Sequence, residues 1–278
     1  MTLLRSLIAT ALIALLASTA SAALITEWDY NAESSPGEAS IGTGDTSGGG
    51  SFPFTSTLPN STGSSADPGT MLPQGLNNQE WTRRGPNAGE ANGTRTVAWQ
   101  TSTVGHTDIV FSWDMVAGYR TSRYYQIMAS TDGTTFNPVS GGVSMGTSTP
   151  GVGSATVDPF GLVTVIFDDQ YEPEPGNDPA PIDYLFDLSY SFPNGMGFEN
   201  NPNFAVQIAA IHAPTGGDFI SSFAGTTSSD AVAGYARNGE TDTRYDLVRV
   251  SGIAVPEPAG FALIAVAGLA LLGLRRRS

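Results

Sequence analysis

The stretch Asp108-Ile109-Val110-Phe111-Ser112-Trp113-Asp114-Met115-Val116-Ala117 decides the fold class. Ile109, Phe111, Trp113 and Met115 recur every second residue, while Asp108, Ser112 and Asp114 fill the other phase. A period of two is the signature of a strand with one buried face, because successive side chains of an extended chain point to opposite sides. The residues on either side repeat the pattern. Tyr125, Ile127 and Ala129 alternate with Tyr124, Gln126 and Met128 in 123–130, and Thr131-Asp132-Gly133-Thr134 then supplies turn chemistry before Phe136 begins a return limb. Residues 161–168 form a nearly continuous β-prone run, and 183–190 is a further strand. In 204–212, Phe204, Val206, Ile208 and Ala210 share a face. Residues 24–30, 97–103 and 245–253 complete the expected set, and no long amphipathic helix interrupts them. Many short strands between Gly, Pro and Asp turns predict an all-β protein, a jelly-roll-like β-sandwich with long loops.

Two segments fall outside this texture. Residues 1–22 carry Arg5, an apolar run over 7–17 and a small-residue site, Ala20-Ser21-Ala22, so they read as a signal peptide removed before Ala23. At the other end, Val255-Pro256-Glu257-Pro258 precedes 16 uncharged, mostly apolar residues, 259–274, and then Arg275, Arg276 and Arg277. As a helix those 16 residues rise roughly 24 Å, a minimal transmembrane span against a ~30 Å hydrocarbon core. The arginines against its end are expected to stay cytoplasmic, which leaves the preceding chain outside.

The exported part, residues 23–254, divides into a loop-rich 23–93 and the main strands of 94–254. It has no cysteine, so neither disulfides nor cysteine chemistry serve it. Its 8 arginines face 25 acids, a net charge of −17, and there is no lysine. Such a surface excludes nucleic acid as a natural partner and suits solubility.

Candidate sites follow from residue type. Asp168, Asp169, Glu172, Glu174 and Asp178 crowd five carboxylates into eleven residues; Asp168 and Asp169, leaving a strand end, are the candidate ligands for calcium, the one cofactor the sequence suggests, although the spacing fits no EF-hand loop and a solvated loop is the simpler alternative. His106 and His212 lack a ligand-spaced companion and are expected to be ordinary loop or strand-end residues. Trp113, in phase with Ile109 and Phe111, belongs to the core, whereas Trp81, beside Arg83 and Arg84, is the candidate glycan-stacking aromatic. Asn60-Ser61-Thr62 and Asn92-Gly93-Thr94 match the N-glycosylation pattern by chance. No catalytic residue is assigned.

The Val-Pro-Glu-Pro element, apolar run and terminal arginines at 255–278 resemble a PEP-CTERM sorting signal. That resemblance implies a Gram-negative, exopolysaccharide-secreting host, in which an exosortase-type membrane transpeptidase reads Pro256, Glu257 and Pro258 and removes the tail. It also implies a precursor held transiently at the inner membrane and a product at the cell surface or outside the cell. Residues 124–136 resemble the Ser/Thr-Asp-Gly-Thr hairpin of exported β-sandwich modules, and 244–252 is similar to the closing strand of galactose-binding-like jelly rolls. The expectation is a non-enzymatic protein associated with carbohydrate or matrix, with exopolysaccharide as a partner. A polysaccharide-active hydrolase and a purely structural surface component are the alternatives.

Overall fold

The computed structural model describes residues 22–28, 44–47, 53–55, 79–83, 91–93, 95–117, 121–149, 153–167, 184–214, 219–220 and 243–255. These are all-β: they form two antiparallel sheets, and no helix occurs among them. The elements are β1 (Ala22–Trp28), β2 (Gly44–Ser47), β3 (Pro53–Thr55), β4 (Gln79–Arg83), β5 (Thr96–Thr101), β6 (His106–Ala117), β7 (Tyr124–Ser130) and β8 (Asn137–Pro138). They continue with β9 (Val143–Met145), β10 (Thr147–Thr149), β11 (Gly153–Val157), β12 (Leu162–Phe167), β13 (Tyr184–Ser191), β14 (Phe204–Ala210) and β15 (Thr243–Ala254).

Sheet I has the order β3-β4-β15-β6-β13-β9, with β1 also pairing β15. Sheet II has the order β10-β11-β12-β7-β14-β5-β2, with β8 on β7. The expected period-two phases face the core. Ile109, Phe111, Trp113 and Met115 of β6 are buried, as are Tyr125, Ile127 and Ala129 of β7 and Phe204, Val206 and Ile208 of β14. One aromatic layer spans both sheets. The ring of Trp99 (β5) lies 5.5 Å from Phe111 (β6) and 5.4 Å, edge-on, from Tyr245 (β15). Phe192, Phe198 and Phe204 close one end with centroids 5.1 to 5.8 Å apart. A shared core between two antiparallel sheets is β-sandwich-like packing.

Two polar clasps cross that core. Thr26 of sheet I meets Thr101 of sheet II, Oγ1 to Oγ1, at 2.6 Å, and Tyr125 Oη meets Thr243 Oγ1 at 2.7 Å. Hydroxyls this deep need partners, and here each satisfies the other. Burial pushes the Tyr125 phenol up to about 12, outweighing the hydrogen bonds from Thr243, Thr121 and Ser122 that act the other way.

The ends of the sheets are distinct. Ala22 and Ala23 pair with Ile253 and Gly252, Ala254 pairs with His106, and Phe204 pairs with Thr101, so all of these lie at one end. Ala117, Tyr184, Ala210 and Tyr125 lie toward the opposite, distal end.

Candidate functional site

Outward positions on sheet II are without charge on five adjacent strands. They are Thr96, Ala98 and Gln100 on β5, Ala205, Gln207 and Ala209 on β14, Tyr124, Gln126 and Met128 on β7, Leu162, Thr164 and Ile166 on β12, and Ser154 and Thr156 on β11. Only at the edge does β2 set Asp45 opposite Gln100. Ala98, Ala205 and Ala209 are themselves buried, and the glutamines and threonines around them make the accessible part of this face neutral and amide-bearing.

Toward the distal end this face opens into a hollow of about 480 Å³ lined by Asn92, Gln126, Asp158, Phe160, Leu162 and His212, among others. That volume falls in the ~300–1,000 Å³ range of small-ligand sites. One wall is the turn between β11 and β12. Asp158 Oδ1 accepts the backbone N–H groups of Phe160 (2.8 Å) and Leu162 (2.9 Å), and Gly161 N–H closes the turn on Asp158 O at 2.9 Å. Outside groups hold it as well: Gln126 Nε2 donates to Phe160 O at 2.8 Å, and Tyr190 Oη donates to Pro159 O at 3.0 Å. Gly161 has φ +73°, and a Cβ there would lie 2.4 Å from Val139 Cγ2, so only glycine fits without displacement. Phe160 nevertheless stands 65% exposed at the tip. The Tyr190 phenol is raised, first by burial, with Gly142 N–H opposing and the charge of Asp158 adding.

The opposite wall comes from the segment after β14. His212 N–H donates to Asn92 Oδ1 at 2.7 Å, and the His212 ring sits edge-on to Phe219 at 4.4 Å. Asn92 is thereby oriented through its oxygen, and its Nδ2 group is a donor for the hollow. Gln126 uses its Nε2 on the Ile127 and Phe160 carbonyls, which leaves Oε1 as an acceptor.

The residues singled out in the sequence fall elsewhere. Ala22 and Ala23 open β1, and Trp81 lies in β4, paired with Tyr245 and Pro53. Val255 leaves β15 with its N–H on Gly105 O at 2.7 Å. Val104 and Met196 are exposed on the loops before β6 and after β13. Ala20, Asp168, Asp169, Pro256, Glu257, Pro258, Arg275, Arg276 and Arg277 lie outside the described residues, as does the apolar run 259–274. Among the described residues no helix is long and apolar enough to cross a membrane, and no three His, Asp or Glu side chains converge as a metal site. His106 and His212 sit at opposite ends of the sandwich and form no common site. Trp99, Trp113 and Tyr125 are core, while Tyr124 is half-buried on the outward face of sheet II.

No protein-family model, curated protein or solved structure matches the chain. Sequence reasoning passed over Asn92, Gln126, Asp158 and Phe160. The readable signal was Asp158-Pro159-Phe160-Gly161, a turn sequence with a large aromatic where polar residues are usual.

Proposed function

We propose that this is an exported surface or extracellular-matrix protein, sorted by a PEP-CTERM tail, whose jelly-roll domain associates with carbohydrate and carries no catalytic activity. The observation that carries the sorting part is the convergence of the two processing sites. Ala22 and Ala23, where the signal peptide ends, pair with Ile253 and Gly252, and Val255 follows two residues later. Both terminal segments therefore leave one end of the domain from neighbouring strands. An inner-membrane precursor would keep that end toward the bilayer, with Val255, the residue before the proposed Pro256-Glu257-Pro258 motif, held on the loop at Gly105. Strand order supports the jelly-roll assignment. Counting β1, β5, β6, β7, β12, β13, β14 and β15 as first to eighth, the sheets contain the orders 1-8-3-6 and 2-7-4-5, the arrangement of two interlocked Greek keys.

Carbohydrate association is supported by the amide-bearing hollow with its presented aromatic. The hollow's described lining contains one carboxylate, Asp158, whereas glycoside hydrolysis ordinarily uses two about 5–10 Å apart. Intact-mass analysis of the protein made in its host tests the sorting reading. The expected mature chain begins at Ala23 and lacks Arg275, Arg276 and Arg277; a mature chain that retains the arginines contradicts it.

A further inference from the structure

We propose that the hollow beside Phe160 binds a neutral, pyranose-containing glycan, with the Phe160 ring as its stacking platform. This inference rests on the carbohydrate reading above and gives it a site and a ligand class.

A stacking platform must be aromatic, exposed and held still before the ligand arrives, because ordering a mobile side chain costs binding free energy. Phe160 meets all three requirements. Its turn is fixed from inside by Asp158 and from outside by Gln126 and Tyr190. Ile127 N–H adds a further bond to Gly161 O at 2.8 Å. Those bonds hold 65% of a phenylalanine in water, a poor use of an apolar side chain unless something apolar covers it. The face of a pyranose, a patch of C–H groups ringed by hydroxyls, is such a cover.

Hydroxyls around that face need both donors and acceptors at the rim. Asn92 Nδ2 supplies a donor and Gln126 Oε1 an acceptor, both pre-oriented by their other hydrogen bonds. Asp158 has its Oδ1 fixed on backbone N–H groups, so its second oxygen is an acceptor for a sugar hydroxyl.

Charge selects the class. Among the described residues the lining contains a carboxylate and no arginine and the outward strand positions of the five-strand face carry no charge, and residues 23–254 carry −17. Uronate or sulfated sugars would meet repulsion without a compensating cation, while a neutral sugar meets none. The hollow also lies on the far side of the domain from the end where the terminal segments leave. Ala209, the partner of Gln126, is five residues of β14 from Phe204, ~17 Å along the strand. A site there stays open to extracellular polymer while the other end faces a membrane.

The test is calorimetry and saturation-transfer NMR on the purified full chain. The probes are neutral hexasaccharides of glucose, mannose and galactose, with an oligogalacturonate as the anionic control. At least one neutral hexasaccharide is expected to bind and the oligogalacturonate not to. Phe160→Ala should weaken that binding about 10-fold and Phe160→Tyr by less than about 2-fold, both with an unchanged melting temperature; Asn92→Ala should weaken it by about 3- to 10-fold with a small loss of stability, because His212 N–H loses its acceptor. Neutral-sugar binding unaffected by Phe160→Ala in a folded protein would overturn this site and leave the carbohydrate reading standing. Binding of the oligogalacturonate alone would overturn the ligand class. No binding to any probe would overturn the site and the carbohydrate reading together, while the mass-based sorting test would be untouched.

Discussion

The two sheets share one core but present opposite outer surfaces. Sheet I sets Asp187 and Asp114 in register on β13 and β6 and pairs Glu27 with Arg249 between β1 and β15; Asp187 is exposed and Arg249 half-buried, whereas Asp114 and Glu27 are buried. Sheet II is built from glutamine, alanine, threonine and aliphatic residues, and at its distal end lifts Phe160 into solvent. Sheet I also holds β1 and β15, the first and last strands, so on the proposed reading the division would separate sorting from recognition.

The largest effect should come from the layer both surfaces depend on. Trp113→Ala removes a fully buried indole stacked on Phe111 at 4.8 Å, and denaturant unfolding should show a loss of about 3–5 kcal/mol, with both faces melting together. Separate transitions for the two sheets would break the comparison at its root. Alkaline pH probes the clasp between the sheets. Tyr125 is raised in the folded state, so its stabilising contribution is complete below about pH 10 and is lost as pH climbs towards 12, because the unfolded phenol releases its proton first. Roughly 2–3 kcal/mol should disappear across that window in wild type. Tyr125→Phe, less stable at neutral pH for leaving Thr243 without its buried partner, should show a flatter alkaline profile.

Gly161→Ala comes next. The positive φ and the contact with Val139 should cost about 2 kcal/mol and displace the Phe160 turn, read as chemical-shift changes confined to the β11–β12 region. Smaller again, Glu27→Gln should cost about 1 kcal/mol at low salt and less at 1 M salt, since Arg249 is only partly shielded from water. Gln207→Ala on the neutral face should stay within about 0.5 kcal/mol at any salt, and a salt-dependent loss there would erase the contrast between the faces.

The strands that build the core were legible because a half-buried strand writes its geometry as a period of two. Residues 108–117, 123–130, 161–168 and 204–212 of the sequence correspond to β6, β7, β12 and β14, with ends differing by about two residues. β2, β3 and β4 fall inside the loop-rich 23–93, and β9, β10 and β11 inside a Gly-, Ser- and Thr-rich stretch. Most of these are short edge strands held by main-chain pairing, which leaves little trace in side-chain pattern. The hollow was illegible for another reason. Asn92, Gln126, Asp158, Phe160 and His212 come from four separate segments that meet only once strand order brings β12, β7 and β14 together. The proposed sorting signal is the reverse case, a contiguous message that needs no fold to be read.

Hydrogen–deuterium exchange on the full chain, with and without the tightest-binding neutral hexasaccharide, tests the division between the two surfaces most directly. Added protection is expected over 91–93, 126–127, 158–162 and 211–213, with none at 103–107, at 194–200 or in β6 and β13. Protection on sheet I, or at the end from which the terminal segments leave, would contradict it.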